Sequence, residues 1–283
     1  MASWGSALTT ALRLNKYIRQ SPTPQQAAFL LLPQREAFFG GAAGPGKSSA
    51  LLMAALQYVD VPGSAAIVFR RTYADLAKPG ALMDRAAEWL GGTDARWNGQ
   101  EHMWRFPSGA KLVFSHLEHE SSKFDHQSAE YQTILFDELT AFTETQYRYL
   151  FSRLRRIEGA VVPLRMRSAS NPGNTGHGWV KQRFLVEGHL EGRPFIPARL
   201  EDNPYLDQAS YRLSLGELDP VTRAQLLHGD WAVQPHGSLF KRPWFQITTE
   251  APVTASRVRF WDLAATEARP GRDPDWTAGA LVA

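Results

Sequence analysis

An α/β fold with a mainly parallel sheet is predicted by three observations. Apolar runs of strand length alternate with helix-patterned segments over most of the chain, the pattern of a parallel sheet covered on both faces. The first run, Ala37-Phe38-Phe39, ends in a glycine-rich stretch that closes on Lys47-Ser48. A later run, Ile134-Leu135-Phe136, ends in Asp137-Glu138.

The elements follow in order. From Met1 to Arg35 there is no acidic residue, while Arg13, Lys16 and Arg19 are spread along the segment. That composition partly resembles a transit peptide, but no signal-peptide cleavage pattern follows, and a short helix leading into the glycine-rich stretch is the reading adopted. Ala37 to Phe39 is a buried strand, Ser48 to Tyr58 a helix, Ala65 to Phe69 a second strand, and Tyr73 to Leu90 a helix. Met103–Phe106 and Lys111–Ser115 flank Pro107-Ser108-Gly109 and form a hairpin. Thr133 to Phe136 is a strand, Glu144 to Arg156 a helix, and Leu164–Ala169 and Phe195–Leu200 are further strands. Between Trp231 and Ser256, Pro235, Gly237, Pro243 and Pro252 interrupt any periodicity and mark a linker. Val258 to Trp261 and Trp276 to Val282 are two more strands, and two strands cannot bury a core alone. The expected organisation is a first domain over 1–232, a linker over 233–255 and a second piece over 256–283. That piece is either an edge of the first domain or the start of another.

Composition excludes more than it proposes. The 283 residues contain no cysteine, which removes disulfides, zinc–cysteine sites and thiol nucleophiles. The net charge of +3 is too small to name a partner. The basic residues are mostly arginine, whose planar fork suits phosphate contacts, although coding bias explains the preference equally well. No apolar run approaches the roughly 20 residues of a membrane span.

Gly41-Ala42-Ala43-Gly44-Pro45-Gly46-Lys47-Ser48 fits the phosphate-loop pattern G-x-x-x-x-G-K-[ST]. Its glycines let backbone N–H groups turn toward a β-phosphate, Lys47 puts a cation on the β- and γ-phosphates, and the Ser48 hydroxyl suits Mg2+. The loop and Ser49, at the start of the helix, are the expected ATP contacts, because a helix N-terminus favours an anion. Asp137 is expected to hold the Mg2+ and Glu138 to orient and polarise the attacking water, since phosphoryl transfer is mainly positioning and charge neutralisation. About 90 residues separate Lys47 from Asp137, room for an intervening strand. That spacing favours the ASCE branch of P-loop NTPases, which uses a catalytic glutamate. Lys47 and Glu138 are thus the candidate catalytic residues.

Other candidates keep two readings each. Gln26, in Thr23-Pro24-Gln25-Gln26, could match an adenine edge with its amide or simply belong to a helix start. Ser170 and Asn171 follow the next strand and could sense the γ-phosphate, or could belong to the turn at Asn171-Pro172-Gly173. Arg153, Arg155 and Arg156 could supply a finger to a neighbouring subunit, grip DNA phosphates, or be solvated. Arg70 and Arg71 carry the same ambiguity.

With these residues in place, the chain resembles the large terminase subunit of tailed bacteriophages. The resemblance is carried by Phe39-Gly40-Gly41 with Gly46-Lys47-Ser48, Val68-Phe69-Arg70-Arg71-Thr72-Tyr73, and Glu130-Tyr131-Gln132 leading to Phe136-Asp137-Glu138-Leu139-Thr140. It continues through Arg165-Met166-Arg167-Ser168-Ala169-Ser170-Asn171-Pro172-Gly173, Asp202-Asn203-Pro204-Tyr205-Leu206, Gly229-Asp230-Trp231 and Trp261-Asp262-Leu263-Ala264. It implies an ATPase that drives double-stranded DNA into a preformed capsid. The ATPase would work as a homo-oligomeric ring, usually a pentamer, docked on the portal protein and acting with the small terminase subunit. The place of work would be the host bacterial cytoplasm and, transiently, the portal vertex, with no membrane.

The resemblance also implies a C-terminal nuclease of the ribonuclease-H type that cuts concatemeric DNA with two Mg2+ or Mn2+ ions. Asp262 matches its first carboxylate and Asp275 a second acidic position, so the last two predicted strands would open that domain. The sequence ends at Ala283, before the later carboxylates, so the expectation is an ATPase with an incomplete, inactive nuclease. One departure stands out. Where some members place a trans-acting arginine shortly before the acidic strand, this chain reads Asp125-His126-Gln127-Ser128, which leaves Arg153 or Arg155 as finger hypotheses. Two rival functions remain: a helicase or recombination ATPase of the same branch, and a nucleotide-binding switch that would tolerate loss of Glu138.

Overall fold

Along each apolar run successive side chains face opposite ways, and this alternation builds a two-faced sheet. The computed structural model describes residues 15–155, 162–233, 258–262 and 278–282, and the chain divides into two compact units, 1–233 and 234–283. In the first unit the elements are α1 (Pro24–Leu31), β1 (Glu36–Gly41), α2 (Lys47–Leu56), β2 (Ala65–Arg70), α3 (Tyr73–Ala77), α4 (Leu82–Leu90), β3 (Arg96–Asn98), β4 (Met103–Arg105) and β5 (Lys111–His116). They continue with β6 (Thr133–Asp137), α5 (Glu144–Leu150), β7 (Arg165–Ser170), α6 (His177–Val180), a π-helical continuation over Lys181–Val186, β8 (Phe195–Ala198), α7 (Gln208–Gly216) and α8 (Pro220–Leu227).

The sheet has eight strands in the order β3-β4-β5-β2-β6-β7-β1-β8. From β5 to β8 every neighbouring pair is parallel, and the β3–β4 and β4–β5 pairs are antiparallel, so β4 alone runs against the rest. β7 lies between the loop-bearing β1 and the acid-bearing β6; it follows Asp137 in the sequence, so the strand that separates the two comes from beyond the Lys47–Asp137 interval. Ala37, Phe39, Ala66, Val68 and Leu135 pack on one face against Leu51, Leu52 and Phe29. Phe38, Ile67, Phe69, Ile134 and Phe136 pack on the other against Tyr147, Leu150 and Phe184. Burial on both faces at about 25 cal/mol per Å2 of apolar area is what offsets the entropy of ordering so many strands.

Three elements differ from the sequence-based expectation. The helix expected over Tyr73–Leu90 is two helices, α3 and α4, broken at Lys78-Pro79-Gly80. Pro79 pushes Lys78 out of the helical region (φ −58°, ψ 148°) and Gly80 turns at φ 74°. The helix expected over Glu144–Arg156 stops at Leu150 and passes into a 3-10 turn over Phe151–Arg153; Arg156 lies outside the described residues. The edge strand β3, three largely exposed residues, is too short and too polar to carry a strand pattern.

In the second unit, β9 (Val258–Asp262) and β10 (Ala278–Val282) pair antiparallel as a sheet of their own, with Asp262 opposite Ala278. Asp275 and nearly all of the predicted linker lie outside the described residues.

Candidate nucleotide site

In a parallel sheet all the strand C-termini open on one rim, where loops can meet a ligand. β1 delivers the glycine loop to that rim, β2 delivers Arg70, β6 delivers Asp137 and Glu138, and β7 delivers Ser170 and Asn171.

The loop adopts the backbone its sequence predicts. Gly46 precedes α2 with φ 81°, and a Cβ there would fall 2.6 Å from Gln26 Nε2. α2 therefore starts at Lys47 with its first N–H groups free for an anion. Gln26 is fully buried. Its Oε1 accepts from Thr23 N at 2.9 Å and its Nε2 donates to Gly46 O at 2.8 Å. Each end of the amide makes one hydrogen bond within the protein, so Gln26 braces the loop, which supports the helix-start reading of the two. A buried residue three positions after a capping threonine is the signal for this role.

Lys47 is buried, and its ammonium donates to Ala42 O at 2.5 Å. Burial pulls its pKa down to about 8, against the opposing pull of Glu138 and Asp137. The Ser48 hydroxyl donates toward both Asp137 oxygens, at 3.2 and 3.4 Å, so the two predicted Mg2+ ligands meet. Burial raises the Asp137 pKa, Arg70 lowers it, and Glu138 raises it again. Glu138 sits in the left-handed region at φ 56°, a conformation that costs a non-glycine residue about 1 kcal/mol or more. Its side chain is 35% exposed and faces the cleft lined by Lys47 and Ser48.

Arg70 is the countercharge between the two acids. Its Nε approaches Asp137 Oδ2 at 2.8 Å and its Nη2 lies 3.6 Å from Glu138 Oε1. The first contact is an ion pair without hydrogen-bond alignment, because Arg70 Nε has no hydrogen-bond acceptor. Arg70 Nη1 donates to Asp75 O. Arg71 points elsewhere, to Leu117 O and Gln146 Oε1.

Ser170 and Asn171 both reach the site. Ser170 Oγ lies 3.3 Å from Glu138 Oε2 and 2.7 Å from Thr140 Oγ1. Asn171 Nδ2 donates to Gly41 O at 2.9 Å. The pair thus ties the acid-bearing segment to the phosphate loop.

Distant segments complete the loop's surroundings. Asn203 Nδ2 donates to Gly44 O at 2.6 Å, and Ala43 N donates to Leu226 O at 2.6 Å. Gly229 (φ 64°) presses its backbone against the loop; a Cβ there would meet Ala42 N at 2.4 Å. Asn203 and Gly229 sit in segments quoted above for the resemblance, but no spacing rule assigns them a part. Arg85, on α4, also faces the site and has no sequence signal.

Two open cavities meet over α2. One, of about 370 Å3, is bounded by Lys47, Ser48, Glu138 and Asn171. The other, of about 570 Å3, is bounded by Arg19, Ser49, Trp89 and Tyr205. Gly46, Arg85, Asn203 and Leu206 border both.

Arg153 and Arg155 do not join this rim. Tyr131 N donates to Arg153 O and Arg155 N to Tyr131 O, beside the start of β6 and a strand length from Asp137. Arg153 lies over the Tyr149 ring and Arg155 pairs with Glu130 at 2.8 Å. Among the described residues no cluster of three or more His, Cys, Asp or Glu could hold a metal ion.

Residues 38–247 match the family model described as terminase large subunit, T4likevirus-type, N-terminal. The fold is similar to that of the large terminase of a thermophilic bacteriophage in complex with ADP, at TM-score 0.59 and 15% identity, covering 86% of this chain and 62% of that one. The same thermophilic phage protein in complex with ATP-γ-S is similar at TM-score 0.56 and 15% identity over 74% of this chain and 52% of that one. The HK97 bacteriophage large terminase is similar at TM-score 0.57 and 11% identity, over 80% of this chain and 55% of that one. The chain therefore spans little more than half to three-fifths of the length of these proteins. No protein of curated function matches the sequence.

Proposed function

The chain belongs to the terminase large subunit family of T4-like-virus type, and on that premise we propose that it is the ATP-hydrolysing subunit of a viral DNA-packaging motor. One observation carries the reading: Lys47, Ser48, Asp137 and Glu138, from two strand ends about 90 residues apart, face one cleft over a helix N-terminus. The thermophilic phage terminase binds ADP and ATP-γ-S, which supports the same ligand class here.

The residues fit Mg2+. A hydroxyl and a carboxylate, both hard oxygen donors, already converge at Ser48 and Asp137, and phosphate oxygens and water would complete the shell. The ion would supply charge neutralisation across the phosphates. The chain's own residues do the rest. The loop N–H groups and Lys47 grip the β- and γ-phosphates. Glu138 orients a water for in-line attack, and the Ser170 hydroxyl steadies Glu138. Asn171 relays a change at the acid to Gly41 of the loop. Loss of the γ-phosphate then removes the charge that Lys47 and Ser48 were holding.

In the motor, this cycle would translocate double-stranded DNA into a procapsid, with the subunits in a pentameric ring on the portal protein and the small terminase subunit presenting the DNA. The work would be done in the host cytoplasm; no helix among the described residues is long and apolar enough to cross a membrane. Residues 256–283 would open a ribonuclease-H-like nuclease with Asp262, at the end of β9, and Asp275 among its metal ligands. The role of a trans-acting arginine, which some members of the family have, is unassigned in this chain. Arg153 and Arg155 remain its candidates only as residues offered to a neighbouring subunit.

The test is Mg2+-dependent ATP turnover, with and without linear duplex DNA, for the chain and for Glu138→Gln. Turnover lost in the variant with ATP binding kept supports the role of Glu138, and stimulation by duplex DNA favours a motor over a switch. Equal turnover in both proteins would sink the assignment.

A further inference from the structure

Arg85 is a cation at the edge of the candidate site, where Glu88 and Glu138 border the same cavities without reaching it. It projects from α4, partly buried, and its guanidinium donates to two neutral acceptors, Ser49 Oγ and, at 3.3 Å, Gly80 O. It pairs with no carboxylate among the described residues. Arg70, at the end of β2, is matched by Asp137 and Glu138, and Arg19, on the far side of the larger cavity, donates to Gly91 O. A partly desolvated guanidinium held only by neutral groups favours an anion arriving from outside.

Its position says which anion. Arg85 borders both cavities. On one side lie Lys47 and Ser48, where a β- and γ-phosphate belong. On the other side lies about 570 Å3 walled in part by Trp89 and Tyr205, within the roughly 300–1,000 Å3 of small-molecule sites and lined by aromatic side chains of the kind that pack on a base. The group of a nucleotide that joins a phosphate chain to a nucleoside is the α-phosphate with its ribose ester. Arg85 stands at the junction of the two spaces, tied to Ser49 one residue after the loop.

We propose that Arg85 is the α-phosphate ligand of this site and that the larger cavity holds the nucleoside. The inference rests on the nucleotide reading given above and adds to it a residue that binds ground state and transition state alike. Such a contact raises affinity for ADP and ATP equally and leaves the chemical step alone.

The experiment is calorimetric binding of ADP, ATP-γ-S and pyrophosphate, each with Mg2+, to the full chain and to Arg85→Ala and Arg85→Lys. Pyrophosphate has two phosphates for the Lys47–Ser48 cradle and no nucleoside. The expected result is that Arg85→Ala weakens ADP and ATP-γ-S by about tenfold each, or about 1.4 kcal/mol, while pyrophosphate changes less than about twofold. Arg85→Lys recovers part of the loss, since lysine keeps the charge without the fork. Unchanged ADP affinity in Arg85→Ala overturns the assignment. So does an equal loss for pyrophosphate, which would mean that Arg85 only props α2 through Ser49. A wild-type chain that binds none of the three overturns the nucleotide reading itself, a result distinct from either of these.

Discussion

Lys47 and Asp137 have opposite ionisation problems and share one cleft. Burial holds the Lys47 pKa near 8, below its ordinary 10.5. Below that value Lys47 carries the charge that a triphosphate needs. Above it the free protein has shed the proton, and binding must recover it, because a polyanion beside the ammonium raises its pKa again. Nucleotide affinity should therefore fall as pH rises through about 8, with net proton uptake on binding. Calorimetry in two buffers of different ionisation enthalpy reads that uptake directly, and none at pH 8.5–9 would contradict the burial of Lys47 (a window of about half to one unit above its pKa).

Asp137 is pushed up by burial and held down by Arg70. Arg70→Ala removes the restraint, so the pKa rises and ionised Asp137 is lost at a higher pH. The acidic limb of the pH–rate profile should shift upward, with ADP affinity nearly unchanged. A rise in turnover would instead mark Arg70 as a competitor for the metal ligand. The sequence leaves Arg70 ambiguous because an arginine after a strand is as often solvated as paired. Only the parallel pairing of β2 with β6 sets it beside the acids.

At the level of elements, the loop is held by segments that come from far along the chain. The strand end that leads into the glycine loop and those that carry Asp137 and Ser170 are legible in the sequence, because an apolar run followed by glycine or a polar residue marks both the strand and its rim. Asn203, Leu226 and Gly229 are not, since the sequence pattern around them is that of any loop or helix end. What makes Gly229 necessary is a backbone approach that appears only in three dimensions. Gly229→Ala would put a Cβ 2.4 Å from Ala42 N at a φ of 64°, a combination that the loop can relieve only by moving. It should cost about 1–3 kcal/mol of stability and at least tenfold in nucleotide affinity, read by chemical denaturation and by ADP titration. Wild-type affinity would show that the loop tolerates the displacement. The break at Pro79-Gly80 is the opposite case. Its signal is in the sequence, and apolar periodicity continuing from Leu76 to Leu82 conceals it. That break lets α4 turn across α2 and bring Arg85 to Ser49.

At the scale of the whole molecule, every residue assigned to the nucleotide lies in the unit that ends at Val233, and the last supports of the loop come just before that boundary. Gly229 presses on Ala42. Trp231 packs edge-on against Phe38 of β1, and its carbonyl meets His177 Nε2 at 3.2 Å, while His177 Nδ1 accepts from Gly173 N. The route from Trp231 through His177 to the Asn171-Pro172-Gly173 turn means that the end of the unit closes the site from behind. A chain shortened to residues 1–233 should therefore bind ADP within about threefold of the full chain, since no described contact of the site comes from beyond it and such a difference is under 1 kcal/mol. A chain shortened to 1–226 loses Gly229, Trp231 and the end of α8. It should lose at least tenfold in affinity, together with the burial of Phe38 against an indole ring. Titration of both fragments with ADP, each checked for folding by its thermal transition, separates the outcomes. If the two fragments bind alike, the closing segment is packing alone and the support of the loop lies entirely within residues 1–226.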